Sequence, residues 1–172
     1  MVALSFAVSP VVGQNFGGRR ADRVRHSVYS AIGIASLMML VLTLFAYLAP
    51  APLIGVFSRD PRVIAFGSDY LHIVSLNFVS AGIVFTTSSV FQGIGNTLPP
   101  LFSSMTRLVL FALPALLISR TPGFKIRHVW YLSVGSIVLQ MCVNLLLLRH
   151  ELRKKLKFQE PDTFIPASAT AS

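Results

Sequence analysis

Pro10 to Arg25 reads PVVGQNFGGRRADRVR. An apolar stretch spaced by glycines runs directly into Arg19, Arg20, Arg23 and Arg25, and beyond them Ser27 to Ser58 contains no charged residue. A membrane helix looks like this where it leaves the bilayer at a basic cytoplasmic face and the next helix begins.

The rest of the chain agrees. Its 172 residues are 53% hydrophobic and only 12% charged, and the mean hydropathy is +0.69, well off the soluble-domain average. The net charge of +9 sits in short loops and a tail, with no basic face interleaved with aromatics. That excludes a nucleic-acid partner and points to lipid headgroups instead. Cys142 is the sole cysteine and lies inside an apolar block, so it is a packing residue that can join neither a disulfide nor a thiol metal site within one chain.

Five apolar segments follow one another, at residues 2–18, 28–49, 70–92, 101–119 and 129–148. The second reaches about 33 Å as a helix, enough to cross a bilayer, and ends at Pro50 and Pro52, which cannot continue it. The expected fold is all-α: a polytopic membrane bundle of about five transmembrane helices over residues 1–157, with a disordered tail over 158–172 rich in Pro, Ser, Ala and Thr. At the joints, Ser58-Arg59-Asp60-Pro61 places an N-cap acceptor before a proline, predicting a helix from Pro61 through Asp69 into the third segment. Gly93-Ile94-Gly95-Asn96-Thr97-Leu98-Pro99-Pro100 predicts a tight reversal and a helix start. It contains GxG with no strand before it, which excludes a dinucleotide fingerprint.

If all five segments cross, one side carries ten lysines and arginines, with Arg107 snorkelling back toward the 93–100 turn, against five on the other. The positive-inside rule makes the richer side cytoplasmic, including the C-terminus, in an inner-membrane protein. The N-terminus would then lie outside at a bare methionine, with its arginines following the first block. This arrangement predicts a piece of a larger protein.

Three stretches carry a family resemblance. VVGQNFGGRRADRVR (residues 11–25) resembles the VGQ-x-x-G-A-G-x-x-x-x-A-R-R motif of the multidrug and toxic compound extrusion (MATE) family, at Gly13, Gln14 and Gly17. FSRDPRVIAFGSDYLHI (57–73) looks like that family's loop and following helix start. FQGIGNTLPPLFSSMTR (91–107) is similar to its GxGDT-x-x-P element at Gly93 and Gly95, with Asn96 where aspartate is usual. The resemblance implies the second lobe of a twelve-helix transporter from its eighth helix on, without the N-terminal lobe and the seventh helix. It implies export of cationic or amphipathic drugs and toxins by antiport against Na⁺ or H⁺, with no further cofactor.

Ion coupling needs an acid inside the membrane, where a carboxylate can exchange a proton, a metal ion and a cationic solute. No segment here contains one. Asp22, Asp60, Asp69, Glu151, Glu160 and Asp162 fall in loops, at helix edges or in the tail, and Asp69 comes closest. The polar residues inside the segments are the other candidates. Asn77, Thr86, Thr87 and Gln92 are the expected substrate path, because the third segment has the longest polar series. Gln140 and Asn144, at i and i+4, suit bridges between helices. Gly13, Gly17 and Gly18 are expected to permit close helix approach and a helix end.

Enzyme readings fail. His150-Glu151 begins like HExxH, but residue 154 is lysine. His26, His72, His128 and His150 are scattered near segment ends, and Trp130 with Tyr131 is expected to anchor at the membrane interface. Two alternatives remain: a lipid-linked oligosaccharide flippase of similar helical plan, which would need a cationic lumen, and a truncated chain that does not transport.

Overall fold

A computed structural model describes residues 2–120 and 126–156. The expected tail at 158–172 and two of the counted cations, Lys125 and Lys157, lie outside them. Every element among the described residues is helical: α1 (Val2–Gly17), α2 (Ala21–Leu48), α3 (Pro50–Gly55), α4 (Pro61–Val74), α5 (Asn77–Gly93), α6 (Leu98–Ser119) and α7 (Ile126–Lys155). The all-α membrane bundle is as expected.

The helix starts follow local chemistry. Asp60 caps α4 through a 2.8 Å bond from the Arg62 N–H to its carboxylate, with Pro61 in the first turn. Likewise, Pro99 and Pro100 fall in the first turn of α6, where their missing N–H groups remove no helix bond, so the helix begins at Leu98 instead of 101. α2 starts at Ala21 and α7 runs from Ile126 to Lys155, both beyond their apolar limits. A helix does not stop where hydrophobicity stops: nothing in the basic turns at Asp22–Arg25 or Arg149–Lys155 breaks one.

The third segment departs most from expectation. Instead of one span over 70–92, α4 and α5 meet at a 49° bend around Ser75 and Leu76. Neither residue breaks helices by itself. At the bend the Ser75 carbonyl accepts from the Phe78 N–H at 3.0 Å and lies 3.1 Å from the Thr43 hydroxyl of α2, which also reaches the Met39 carbonyl of its own helix at 2.8 Å. Three helices (α2, α6, α7) are long and apolar enough to cross a membrane, and the bent pair makes a fourth. α1, with 16 residues, reaches about 24 Å, short of the hydrocarbon core.

α5 stands in the middle, against α1, α2 and α7. Its buried residues are largely small or polar: Ser80, Gly82, Thr86, Thr87 and Ser89. The large apolar side chains point outward instead, as at Leu37 and Leu44 of α2 or Phe102, Leu108 and Leu117 of α6. Such a surface would associate in water and suits lipid.

The bundle's two ends differ. At one, Asp69 pairs with Arg127, and Trp130 takes the edges of Phe66 and Tyr70 at centroid distances of 5.4 and 5.3 Å. Trp130 is buried, so it clamps α4 to α7; Tyr131 is the exposed member of that pair. At the other end, the 94–97 turn meets the last turns of α7, and Arg25 comes beside Arg149 and Arg153. The richly basic loops therefore do share one end.

Candidate functional site

Two glycines from different motifs fasten α1 to α5. A Cβ at Gly93 would lie 2.6 Å from the Ser9 carbonyl oxygen and 3.1 Å from the Val12 Cβ, and one at Gly13 would lie 3.1 Å from the Gly93 carbonyl oxygen. Gly17 has open space around it, so it makes no close approach; it is the last residue of α1.

Below this contact, α1, α5, α6 and α7 enclose a cavity of about 780 Å³. Ser5, Phe6 and Ser9 line it from α1, and Ser88, Ser89 and Gln92 from α5. α6 adds Ser104 and Arg107, and α7 adds Ile137 and Gln140. The Gln140 amide reaches the Ser104 hydroxyl at 3.4 Å, bridging α7 to α6, while its side-chain oxygen and the Ser5 hydroxyl are buried without a partner. The Asn144 side chain is fully buried and likewise has no hydrogen-bond partner among the described residues.

Of the expected substrate path, Gln92 lines the cavity. Thr86 and Thr87 lie elsewhere on α5, fully buried, each hydroxyl donating to its own helix at 2.8 Å, to the Gly82 and Ile83 carbonyls. Asn77 is buried at the start of α5, far along the helix from Gln92. Helix periodicity explains the division: residues 81, 85, 88 and 92 share one face, and 86 and 87 turn away from it. Ser5 with Ser9 and Ser104 with Arg107 are further cavity residues; their i+4 and i+3 spacings inside apolar helices were the available signal.

Among the described residues Arg107 is the only charged side chain lining this cavity. About 13 Å along α6 from Leu98, it stands on a cavity wall that also includes Gln92, next to the 93–100 turn. Among the described residues it has no ion pair. No carboxylate lines the cavity, and no three His, Cys, Asp or Glu side chains among the described residues converge to hold a metal ion.

The 94–97 turn is tied down separately. The Asn96 side-chain N–H donates to the Glu151 carboxylate at 2.8 Å, and Lys155 bridges Glu151 at 3.3 Å and the Ile94 carbonyl at 3.2 Å. This cluster lies beyond Leu148, where the charge-free stretch of α7 ends. The Asn96 donor, then Lys155, holds the Glu151 carboxyl below the usual carboxylate range, although burial works the other way.

Comparison with known proteins gives one answer. The sequence model of the MatE family matches residues 1–117. The chain is 24% identical over 144 residues to a probable multidrug resistance protein NorM of Thermotoga maritima, covering 83% of this chain and 31% of that protein. It is 26% identical over 114 residues to an FAD transporter of Shewanella oneidensis, covering 66% and 25%. An inward-facing structure of a multidrug resistance MATE family transporter of the MOP superfamily superposes with a TM-score of 0.80 at 22% identity, over 91% of this chain and 36% of that one. An outward-facing structure gives 0.81 at 23% identity, over 90% and 35%. The chain thus spans about a third of the length of the proteins it matches, in a fold common to both of those states.

Proposed function

Because this chain belongs to the MatE family, we propose that it is the second-lobe part of an antiporter that exports cationic or amphipathic drugs and toxins across the inner membrane. The observation that carries this reading is the polar cavity between α1, α5, α6 and α7, which is open to solute inside an otherwise apolar bundle. Its floor of serines and glutamines offers hydrogen bonds, and Phe6, Phe85 and Ile137 offer apolar contact, a combination suited to amphipathic molecules.

Coupling to Na⁺ or H⁺ is assigned to carboxylates of the N-terminal lobe and the seventh helix, since no acid lines the cavity. The C-terminus is placed in the cytoplasm because Arg25, Arg149 and Arg153 gather at that end. Transport, in place of catalysis, is the reading for the polar residues that line the cavity.

In cells stripped of their own exporters, this chain joined to a MATE N-terminal lobe and seventh helix should confer dye resistance, and the 172 residues alone should not. Resistance from the chain alone would sink the two-lobe requirement; none from the joined protein, despite membrane insertion, would sink the export reading.

A second reading concerns the solute's charge. Arg107 faces the cavity without a counter-ion, and one relative bears the name FAD transporter, which favours amphipathic anions. In the joined protein, Arg107→Gln should abolish export of an anionic dye and spare a cationic one. Equal loss of both would leave Arg107 a structural role only.

A further inference from the structure

We propose that the hollow between the basic ends of α2 and α7 is a binding site for the headgroup of an anionic phospholipid, with a two-phosphate headgroup the best match. The site is separate from the cavity above and does not depend on what the protein carries.

The hollow has a volume of about 590 Å³ and is lined by Arg25 and Tyr29 of α2 and by Arg149, Leu152 and Arg153 of α7. Each helix presents its pair at i and i+4, on one face. Three guanidinium groups from two helices thus share one concavity. Like charges so placed repel one another, and a helix surface alone would not be expected to gather them.

Among the described residues no carboxylate offsets them. Among the described residues the ion pairs are Asp69 with Arg127 and Glu151 with Lys155. Asp22, one turn before Arg25, makes no ion pair, and Glu151 is already held by Asn96 and Lys155. The positive charge in the hollow therefore calls for an anion from outside, and the planar forks of arginine suit phosphate oxygens bidentately.

Depth selects a lipid over a soluble anion. The charge-free stretch of α7 ends at Leu148, so Arg149 stands where the apolar helix surface gives way to the headgroup layer. Tyr29, 68% exposed, is an aromatic of the kind found at that level, and buried Leu152 closes the base. Exposed Leu37 of α2 and Leu146 of α7 belong to the apolar surface along which acyl chains would lie.

The test is native mass spectrometry of the 172-residue chain in micelles, offered equal amounts of tetraoleoyl cardiolipin, dioleoyl phosphatidylglycerol and dioleoyl phosphatidylcholine. Retention should fall in that order. The R25Q/R149Q/R153Q variant should weaken cardiolipin retention by about a hundredfold, the combined effect of three basic side chains at an anionic surface. R20Q/R23Q/K154Q removes the same charge elsewhere and should change it by less than about threefold. Equal losses in both variants would reduce the site to diffuse attraction and overturn the proposal, as would equal retention of the three lipids.

Circular dichroism should show both variants as helical as the parent chain, and R25K/R149K/R153K, which keeps the charge without the planar fork, should recover only part of the binding. A separate arm adds sodium pyrophosphate without lipid. It should not raise the melting temperature at concentrations where cardiolipin does; an equal rise would assign the hollow to a soluble phosphate and overturn the lipid assignment.

Discussion

The turn after α1 and the turn after α5 have the same backbone and opposite chemistry. In the first, the Arg19 N–H bonds to the Phe16 carbonyl at 3.0 Å and the Arg20 N–H to that of Asn15 at 3.0 Å. In the second, the Gly95 N–H bonds to the Gln92 carbonyl at 3.0 Å and the Asn96 N–H to that of Phe91 at 2.9 Å. Both are Schellman closures with one left-handed residue. After α5 that residue is Gly95, at φ +71°; after α1 it is Arg19, at φ +53°, although Gly17 and Gly18 immediately precede it. The α5 turn is also held from outside by Glu151 and Lys155, while among the described residues no side-chain contact holds Arg19. A glycine in a motif can thus serve packing (Gly93), conformation (Gly95) or neither (Gly17), and only its surroundings distinguish the three.

Substitutions rank the two turns. Gly93→Val forces side-chain atoms into the Ser9 carbonyl and should cost about 3 kcal/mol, lowering the thermal midpoint in detergent and separating α1 from α5. An unchanged midpoint would mean that the α1–α5 contact is not tight. Asn96→Asp replaces a donor to Glu151 with a second carboxylate and should cost about 2 kcal/mol at neutral pH.

That second loss depends on pH, with a definite sign. The folded Glu151 pKa is depressed, so its contribution is complete above the unfolded value and is lost as pH falls through the folded one. Acidification should therefore narrow the gap between Asn96→Asp and wild type, as one of the paired carboxylates takes up a proton. A gap that widens in acid would contradict the Asn96–Glu151 bond. Gly95→Ala, strained at positive φ, should cost about 1 kcal/mol. Arg19→Gly should be the smallest effect and of opposite sign, a gain of about 0.5 kcal/mol, since a left-handed residue loses its Cβ strain.

The helical plan was legible because lipid imposes long uncharged stretches, and Pro61 and the Pro99-Pro100 pair mark helix starts that the structure reproduces to within a few residues. The 93–100 reversal was legible for the same reason. The bend was not, because neither Ser75 nor Leu76 is a residue that breaks helices by itself. Trp130 looked interfacial from its neighbours and is buried because α4 folds over it. In the cavity, Gln92 was readable from its place at the end of a polar series. Thr86 and Thr87 were harder to place, because a hydroxyl that bonds its own helix looks no different in sequence from one offered to a solute. Arg107 was noticed as a charge, but only the approach of α1 and α7 makes it part of a wall.

α4 contains no buried residue, whereas α5, its continuation past the bend, carries eight. It is attached by Ile54 of α3, which lies against Gly67, by the rims of Trp130 and Tyr47, and by one exposed ion pair. Opening α4 therefore uncovers Trp130 but leaves the packing around α5 intact, so local unfolding is cheaper there than at α5. Amide protons of Ile64 to Val74 will exchange with solvent deuterium well before those of Val84 to Phe91. The broken helix has a slow half and a fast half, and the boundary between their clocks is the Ser75 carbonyl held by Thr43.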